Sequence, residues 1–504
     1  MERKWWTLIL ISTATFMLLL DITVVNVALP DIQRELGASL SSLQWVVDAY
    51  ALTLAAFLLT AGSLGDRLGR RRVFALGFGI FTGASFLCGI AGDPTLLNLA
   101  RGLQGVGGAG MFATSLALIG QEFHGKDRAT AFGVWGATVG GAVAIGPLVG
   151  GVITEHLGWE WIFFVNIPIG LAAIALTERK IVNVAAKDAE PVDLPGLVTF
   201  SLALFLLIFG LIRGNPEGWG SPLILACLGG AVALLLAFVA IERRSTHPML
   251  DLHLFRNPAF NGVSAVAFGL SAGMFAMFLY LTIYMQGVLD FSPLEAGLRF
   301  LPLTILSFIA SPIAGSLSHR IPIRVLLGVG LTLVGVGLLL MHGVSPDSEW
   351  TTLLVGFLVA GVGIGVTNPG IGQAAIAVVP IEKSGMGSGI NTTFRQVGIA
   401  TGVAALGAIF QSRVDAELHE LLPRAPAGLG EVVSSGGSRA VAALPLPPGI
   451  HDKATHAADV AFVSGFNTII LIASILSFVG AALGFLLVRS RYFVQPTDGG
   501  AAAG

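Results

Sequence analysis

Charge is scarce in this chain. Only 12% of its 504 residues are Asp, Glu, Lys or Arg, against about 25% in soluble domains, while 54% are hydrophobic and the mean hydropathy is +0.82. That shortage argues against a water-soluble protein and makes an integral membrane protein the expectation. Cysteine is nearly absent: Cys88 and Cys227 each stand inside an apolar run, which suggests neither a disulfide framework nor a thiolate metal site. The net charge of −2 carries no signature of a nucleic-acid partner. H-E-x-x-H, G-x-S-x-G and acidic metal clusters are missing too, so no metal is expected and the chain reads as not an enzyme.

Two glycine patterns imitate nucleotide sites and fail on context. Gly105, Gly107 and Gly110 satisfy G-x-G-x-x-G but sit inside an apolar helix, where glycine permits close helix approach, and no strand precedes them. Gly120 and Gly125-Lys126 imitate a phosphate loop, yet Asp127 occupies the Ser/Thr position. No stretch is left for an ATPase module, so the expected energy source is an ion gradient and no cofactor is expected.

What is present is a series of apolar runs of spanning length, which needs roughly 20 residues. They fall at about 5–30, 42–65, 73–92, 95–120, 130–155, 161–178, 194–213, 219–241, 258–288, 294–317, 323–343, 351–379, 385–412 and 460–488. Fourteen helices put both termini on one side. The first run is too long for a signal-peptide core and lacks a small-residue cleavage site, so it counts as a helix. With the N-terminus inside, nineteen of the 28 Lys and Arg face the cytoplasm, six face outward and three, Arg101, Arg299 and Arg395, lie within helices. The positive-inside rule therefore places both termini in the cytoplasm. Residues 413–459, rich in Pro, Gly, Ala and Ser, read as a flexible outer loop with a short helix at "DAELHELL", and 491–504 as a disordered tail.

The stretch "LLLDITVVNVALP" holds the main anomaly, a carboxylate, Asp21, inside the first apolar run. It lies about 13 Å from the outer end at 1.5 Å per residue. An ionised carboxylate there costs on the order of 3 kcal/mol, so it must be protonated, paired or open to a water-filled cavity. Either it handles protons, or it only hydrogen-bonds a neighbouring helix. Arg101 in "RGLQGVGGAG" enters from the same side at similar depth, and pairing would relieve both charges. Asp48 in "WVVDAY" falls in the same outer half, as a second protonation site or a residue of the outer mouth.

Further motifs follow. "GSLGDRLGRRRV", with Gly62, Asp66, Arg67, Gly69 and Arg70, puts an acid among arginines at a tight turn, a charge-and-cap network able to form in one conformation and break in another. "GVWGATVGGAVAIGPLVGG" surrounds Pro147 with Gly140, Gly146, Gly150 and Gly151, which allow close packing and a bend. The ninth run concentrates Met274, Phe278 and other adaptable side chains, a substrate surface or a lipid-facing or core stripe. With Trp135 and Arg395 these form a candidate substrate cavity; Arg299 and Arg395 either join structural ion pairs or handle anionic groups. The turn "GSLGDRLGRRRV" has an echo in "GSLSHRIPIRV", and "HGKDRATAFG" one in "PIEKSGMGSG", each pair eight helices apart. Two six-helix repeats separated by two extra helices give that spacing, a transporter architecture. The expected division is a bundle at 1–180, two linker helices at 181–257 and a second bundle at 258–490.

These residues carry a resemblance. "LDITVVNVALP", "GSLGDRLGRRRV", "RGLQGVGGAG", "GPLVGG" and "GWEWIFFVNIPIG" resemble the fourteen-helix drug:proton antiporter branch of the major facilitator superfamily, most strongly over residues 18–170. The resemblance implies that Asp21 couples protons with help from Arg101, that Asp66, Arg67 and Arg70 gate the cytoplasmic side, and that Gly146, Pro147, Gly150 and Gly151 form an exporter-type motif. The second copy of the basic turn has Ser318-His319 where the first has Gly65-Asp66. The expected protein is an all-α monomeric exporter of an amphipathic small molecule in the plasma membrane, partnered by lipid. An uptake symporter or a transporter-like sensor or enzyme are the rivals.

Overall fold

The computed structural model describes residues 2–38, 40–182, 193–246, 248, 250–318, 320–380, 384–423, 428–444 and 448–493. Among them every regular element is a helix. The first half comprises α1 (Arg3–Leu36), α2 (Leu40–Leu68), α3 (Arg70–Gly89), α4 (Pro94–Glu122), α5 (Gly125–Leu157), α6 (Trp161–Phe164) and α7 (Asn166–Lys180). α8 (Leu194–Glu217) and α9 (Pro222–Glu242) follow. The second half comprises α10 (Pro258–Leu270), α11 (Ala276–Ile283), α12 (Pro293–Leu317), α13 (Ile323–Leu340), α14 (Leu354–Ala377), α15 (Ser384–Leu421), α16 (Leu429–Ala442) and α17 (Pro448–Leu487). Thirteen candidate membrane spans lie among the described residues. α5, with 33 residues, is not among these candidates but is long enough to cross as well.

Local sequence sets the helix boundaries. Asp93 accepts from the Thr95 and Leu96 amides with Pro94 behind it, Ser221 and Asn257 cap helices that begin with proline, and Ser292 with Glu295 closes a capping box. Between α2 and α3 the chain reverses at Gly69, whose φ of 100° suits glycine. Large apolar side chains such as Leu99, Leu76, Leu236 and Val232 are exposed on the outside of the bundle, as lipid demands.

Each half repeats one packing pattern. In the first, α1 packs on α5, α2 on α4, α3 on α4 and α3 on α7; in the second, α10 packs on α15, α12 on α14, α13 on α14 and α13 on α17. The halves meet along two seams, α5 against α12 and α2 against α15, and α8 lies against α2 and α15 at the second seam. The closest backbone approaches across the seams lie towards the face carrying both ends of the bundle: Gly315 against Ala129 and Gly133, Gly133 against Pro312, and Gly389 against Leu58 and Leu59.

One expectation needs correction. Residues 413–459 are largely helical: α15 absorbs "DAELHEL", α17 begins at Pro448, and α16 stands between them. α16 buries Leu429, Val433 and Val441, an apolar set that offsets its Gly and Ser content, and Ser438 donates to the Gly287 carbonyl at 3.2 Å. The ninth crossing is interrupted by π-helical turns at Ser271–Phe275 and Tyr284–Val288. The tail beyond 493 and His319 lie outside the described residues.

Candidate functional site

Asp21 on α1 and Arg101 on α4 are in direct contact through Oδ2 and Nη1, and both are buried. Arg101 spends its other donors on the Val46 carbonyl at 2.9 Å and Gln104 Oε1 at 2.6 Å. Gln104 then donates to Asp21 Oδ1 and Ser85 Oγ, each at 2.9 Å, and Ser85 donates to the Phe81 carbonyl at 2.8 Å. The Tyr50 ring lies 4.4 Å from the guanidinium carbon and the Phe163 ring 5.8 Å. Four helices thus converge on one carboxylate whose two oxygens are both engaged. Pairing repays part of the desolvation of two buried charges, while loss of either partner strands the other.

Gln104 and Tyr50 were missed by sequence reasoning, although Gln104 stands three residues after Arg101 and so on the same helical face. Helical phase also sets Asp48 apart from this cluster. Val46 and Tyr50 face the cluster, so Asp48, two residues from each, points elsewhere. It is half-buried, with Arg213 of α8 its nearby opposite charge.

The second constellation closes the face that carries both chain ends. Asp66 Oδ1 accepts from Arg70 Nε at 3.2 Å and Nη2 at 3.0 Å. Arg70 also reaches the Ala117 carbonyl and Gln121 Oε1 on α4, at 3.4 and 3.3 Å. Asp66 Oδ2 accepts the Met386 amide at 2.8 Å, in the first turn of α15 across the seam. An acid at a helix N-terminus is favoured by the orphan amides there. Gly62 and Gly69 are buried, and a Cβ at nearby Gly65 would meet Thr114 of α4 at 2.9 Å. Arg67 stays at the surface and donates to the Pro248 carbonyl at 3.2 Å.

α5 joins these regions. A Cβ on Gly146 would collide with Thr23, and one on Gly150 would lie 3.1 Å from the Val24 Cα, so α5 touches α1 two and three residues beyond Asp21. Gly136 and Gly140 face Ser311 and Ser307 of α12. Gly151 has nothing within 4 Å and takes no part in packing, contrary to expectation. α5 runs unbroken through Pro147, whose side chain lies outside the described residues.

Between α5 and the second half lies a narrow cleft of about 20 Å³, room for about one water in this conformation, lined by Val139, Gly140, Phe275, Phe278, Leu303, Thr304, Ser307 and Ile364. Phe278 lines this cleft. Trp135 does not: it is buried in the first half, donating to Thr15 Oγ1 at 3.1 Å and packed on Phe112. Met274 is buried in the core of the second half, and the π-helical turn presents Phe275 in its place. Arg395 is buried beside the cleft, donating to Asn368 Oδ1 at 3.1 Å with the Phe275 ring 5.5 Å away. Arg299 is at the far end of α12, 3.5 Å from the Phe291 ring centroid.

The family model described as Major Facilitator Superfamily matches residues 11–403. The chain is 36% identical over 420 residues to the multidrug resistance protein Stp of Mycobacterium tuberculosis, covering 83% of this chain and 78% of that protein. It is 32% identical over 504 residues to the tetracenomycin C resistance and export protein of Streptomyces glaucescens, covering 97% and 92%. Among solved structures, the proton:xylose symporter XylE is similar in fold, with TM-score 0.64 at 12% identity, covering 96% of each chain.

Proposed function

Because this chain belongs to the Major Facilitator Superfamily, a family of multi-pass membrane transporters, we propose that it exports amphipathic small molecules, drugs or antibiotics among them, in exchange for protons. The observation that carries the reading is the buried Asp21–Arg101–Gln104 network, one residue pair away from the α1–α5 contact. Relatives named for multidrug resistance and for tetracenomycin C resistance and export favour export over uptake. The excess of Lys and Arg on the side of both termini favours the plasma membrane with those termini in the cytoplasm. No cofactor is needed: the proton gradient drives the cycle, and a monomer carries the whole pathway.

The mechanism follows from these contacts. In this conformation the halves are locked on the cytoplasmic side by the Asp66 contact with α15 and by the close approach of α5 and α12. A proton taken up by Asp21 removes its charge and weakens its hold on Arg101. The helices around the pair then relax, and α1 moves against α5 through Gly146 and Gly150. Because α5 also forms the seam, the rearrangement reaches the lock. The magnitudes are compatible: a hydrogen bond to a charged group contributes about 1.5–3 kcal/mol, and one charge moved through 100 mV is worth about 2.3 kcal/mol.

Everted membrane vesicles holding the protein test this directly. Substrate dye should accumulate when an inward-acid gradient is imposed and leak out when an ionophore collapses it. Accumulation indifferent to the ionophore would reject proton coupling, and gradient-driven loss of dye from the vesicles would favour the symporter.

A further inference from the structure

The first half neutralises its buried cation; the second half does not. Arg101 meets Asp21, whereas among the described residues no carboxylate pairs with Arg395, which is buried with only the Asn368 side-chain oxygen and the Phe275 ring as partners. Two further polar groups here lack partners: Asn368 Nδ2 and Ser307 Oγ, on residues that are 0% and 1% exposed. Ser307 lines the cleft, and Asn368 stands four residues beyond Ile364, another lining residue, on the same face of α14. The π-helical turn at Ser271–Phe275 swings the Phe275 ring between cleft and guanidinium, and such turns recur at functional sites. The rest of the lining is apolar: Val139, Phe278, Leu303 and Ile364.

We propose that Arg395, Asn368 and Ser307 form an anion-binding floor to the cleft, so that the molecules handled best are flat apolar ones bearing a carboxylate or equally acidic oxygen. A buried cation without a counter-charge is costly, and a ligand carboxylate supplies what the second half lacks, accepting from the guanidinium and from the two unpartnered donors. The cleft is narrow in this conformation, so the aromatic body lies along Phe275 and Phe278 once the halves part around it. This rests on the transport reading but names the charge of the cargo. It also separates the tasks: the proton sits on Asp21 in one half and the cargo's charge on Arg395 in the other.

Equilibrium binding to the full chain in lipid nanodiscs, without any gradient, tests the floor independently of proton coupling. The probes are fluorescein and rhodamine 123, which share a ring system but carry a free carboxylate and a cationic methyl ester respectively. Wild-type protein should bind fluorescein more tightly. Arg395→Gln should weaken fluorescein about tenfold, as expected for one hydrogen bond to a charged group, and leave rhodamine 123 unchanged or tighter. Asn368→Asp keeps the guanidinium but supplies an internal carboxylate; it should give the same selective loss in a protein that retains its fold. No fluorescein binding by wild type, equal loss of both dyes in the two variants, or fluorescein binding untouched by Asn368→Asp would overturn the proposal. Loss of gradient-driven export with dye selectivity intact would instead count against the coupling mechanism alone.

Discussion

At the scale of single residues the account turns on a buried ion pair that is coupled and therefore non-additive. Arg101→Leu leaves the Asp21 carboxylate with Gln104 alone and should cost about 3–5 kcal/mol, the penalty of breaking a buried pair from one side. Adding Asp21→Asn to it removes the stranded charge and should recover much of that loss. Thermal unfolding of the two single variants and the double variant in detergent checks this, and additive losses would show that the residues do not interact. The pair was legible in the sequence because an ionisable group inside an apolar run demands an explanation. Asp48 looked equivalent by depth, and only helical phase, fixed once Val46 and Tyr50 are seen facing the cluster, separates it. Trp135 and Met274 show the other limit: an apolar side chain satisfies its chemistry equally in a core or a cavity wall, so composition could not tell them from Phe278.

At the scale of elements, α5 is the link, and its glycines are not equivalent. Gly146→Val would drive a branched side chain into Thr23, two residues from Asp21, whereas Gly151→Ala adds a methyl where nothing lies within 4 Å. The first should abolish export in vesicles while the protein still reaches the membrane; the second should retain nearly full activity. Equal tolerance of both would mean that the α1–α5 contact transmits nothing. The glycine pattern showed that α5 packs closely, but not against which neighbour, since partner choice is tertiary. The π-helical turns were not legible for a related reason: the turn at Ser271–Phe275 packs closely on α15 and α17 through Gly398, Gly402 and the Ser477–Gly273 contact, and such contacts are tertiary. Residues 413–459 misled in the opposite direction, because Pro, Gly and Ser suggested a loop where burial of Leu429, Val433 and Val441 stabilises a helix.

At the scale of the whole molecule, two similarly packed halves meet more closely at one face, and the side chains best placed to unlock them sit a helix away from the carboxylate that responds to protons. Transport then requires that protonation of Asp21 and the closure made by Asp66 belong to one equilibrium, which a ligand or a proton shifts only by binding the two states differently. The most direct test uses purified protein in liposomes, with Asp21→Asn compared against wild type. The amide still accepts from Arg101 and cannot titrate, so the variant should fold and exchange labelled substrate down its gradient at a rate near wild type, while losing all accumulation driven by a pH gradient. Gradient-driven accumulation equal to wild type in Asp21→Asn would contradict the account.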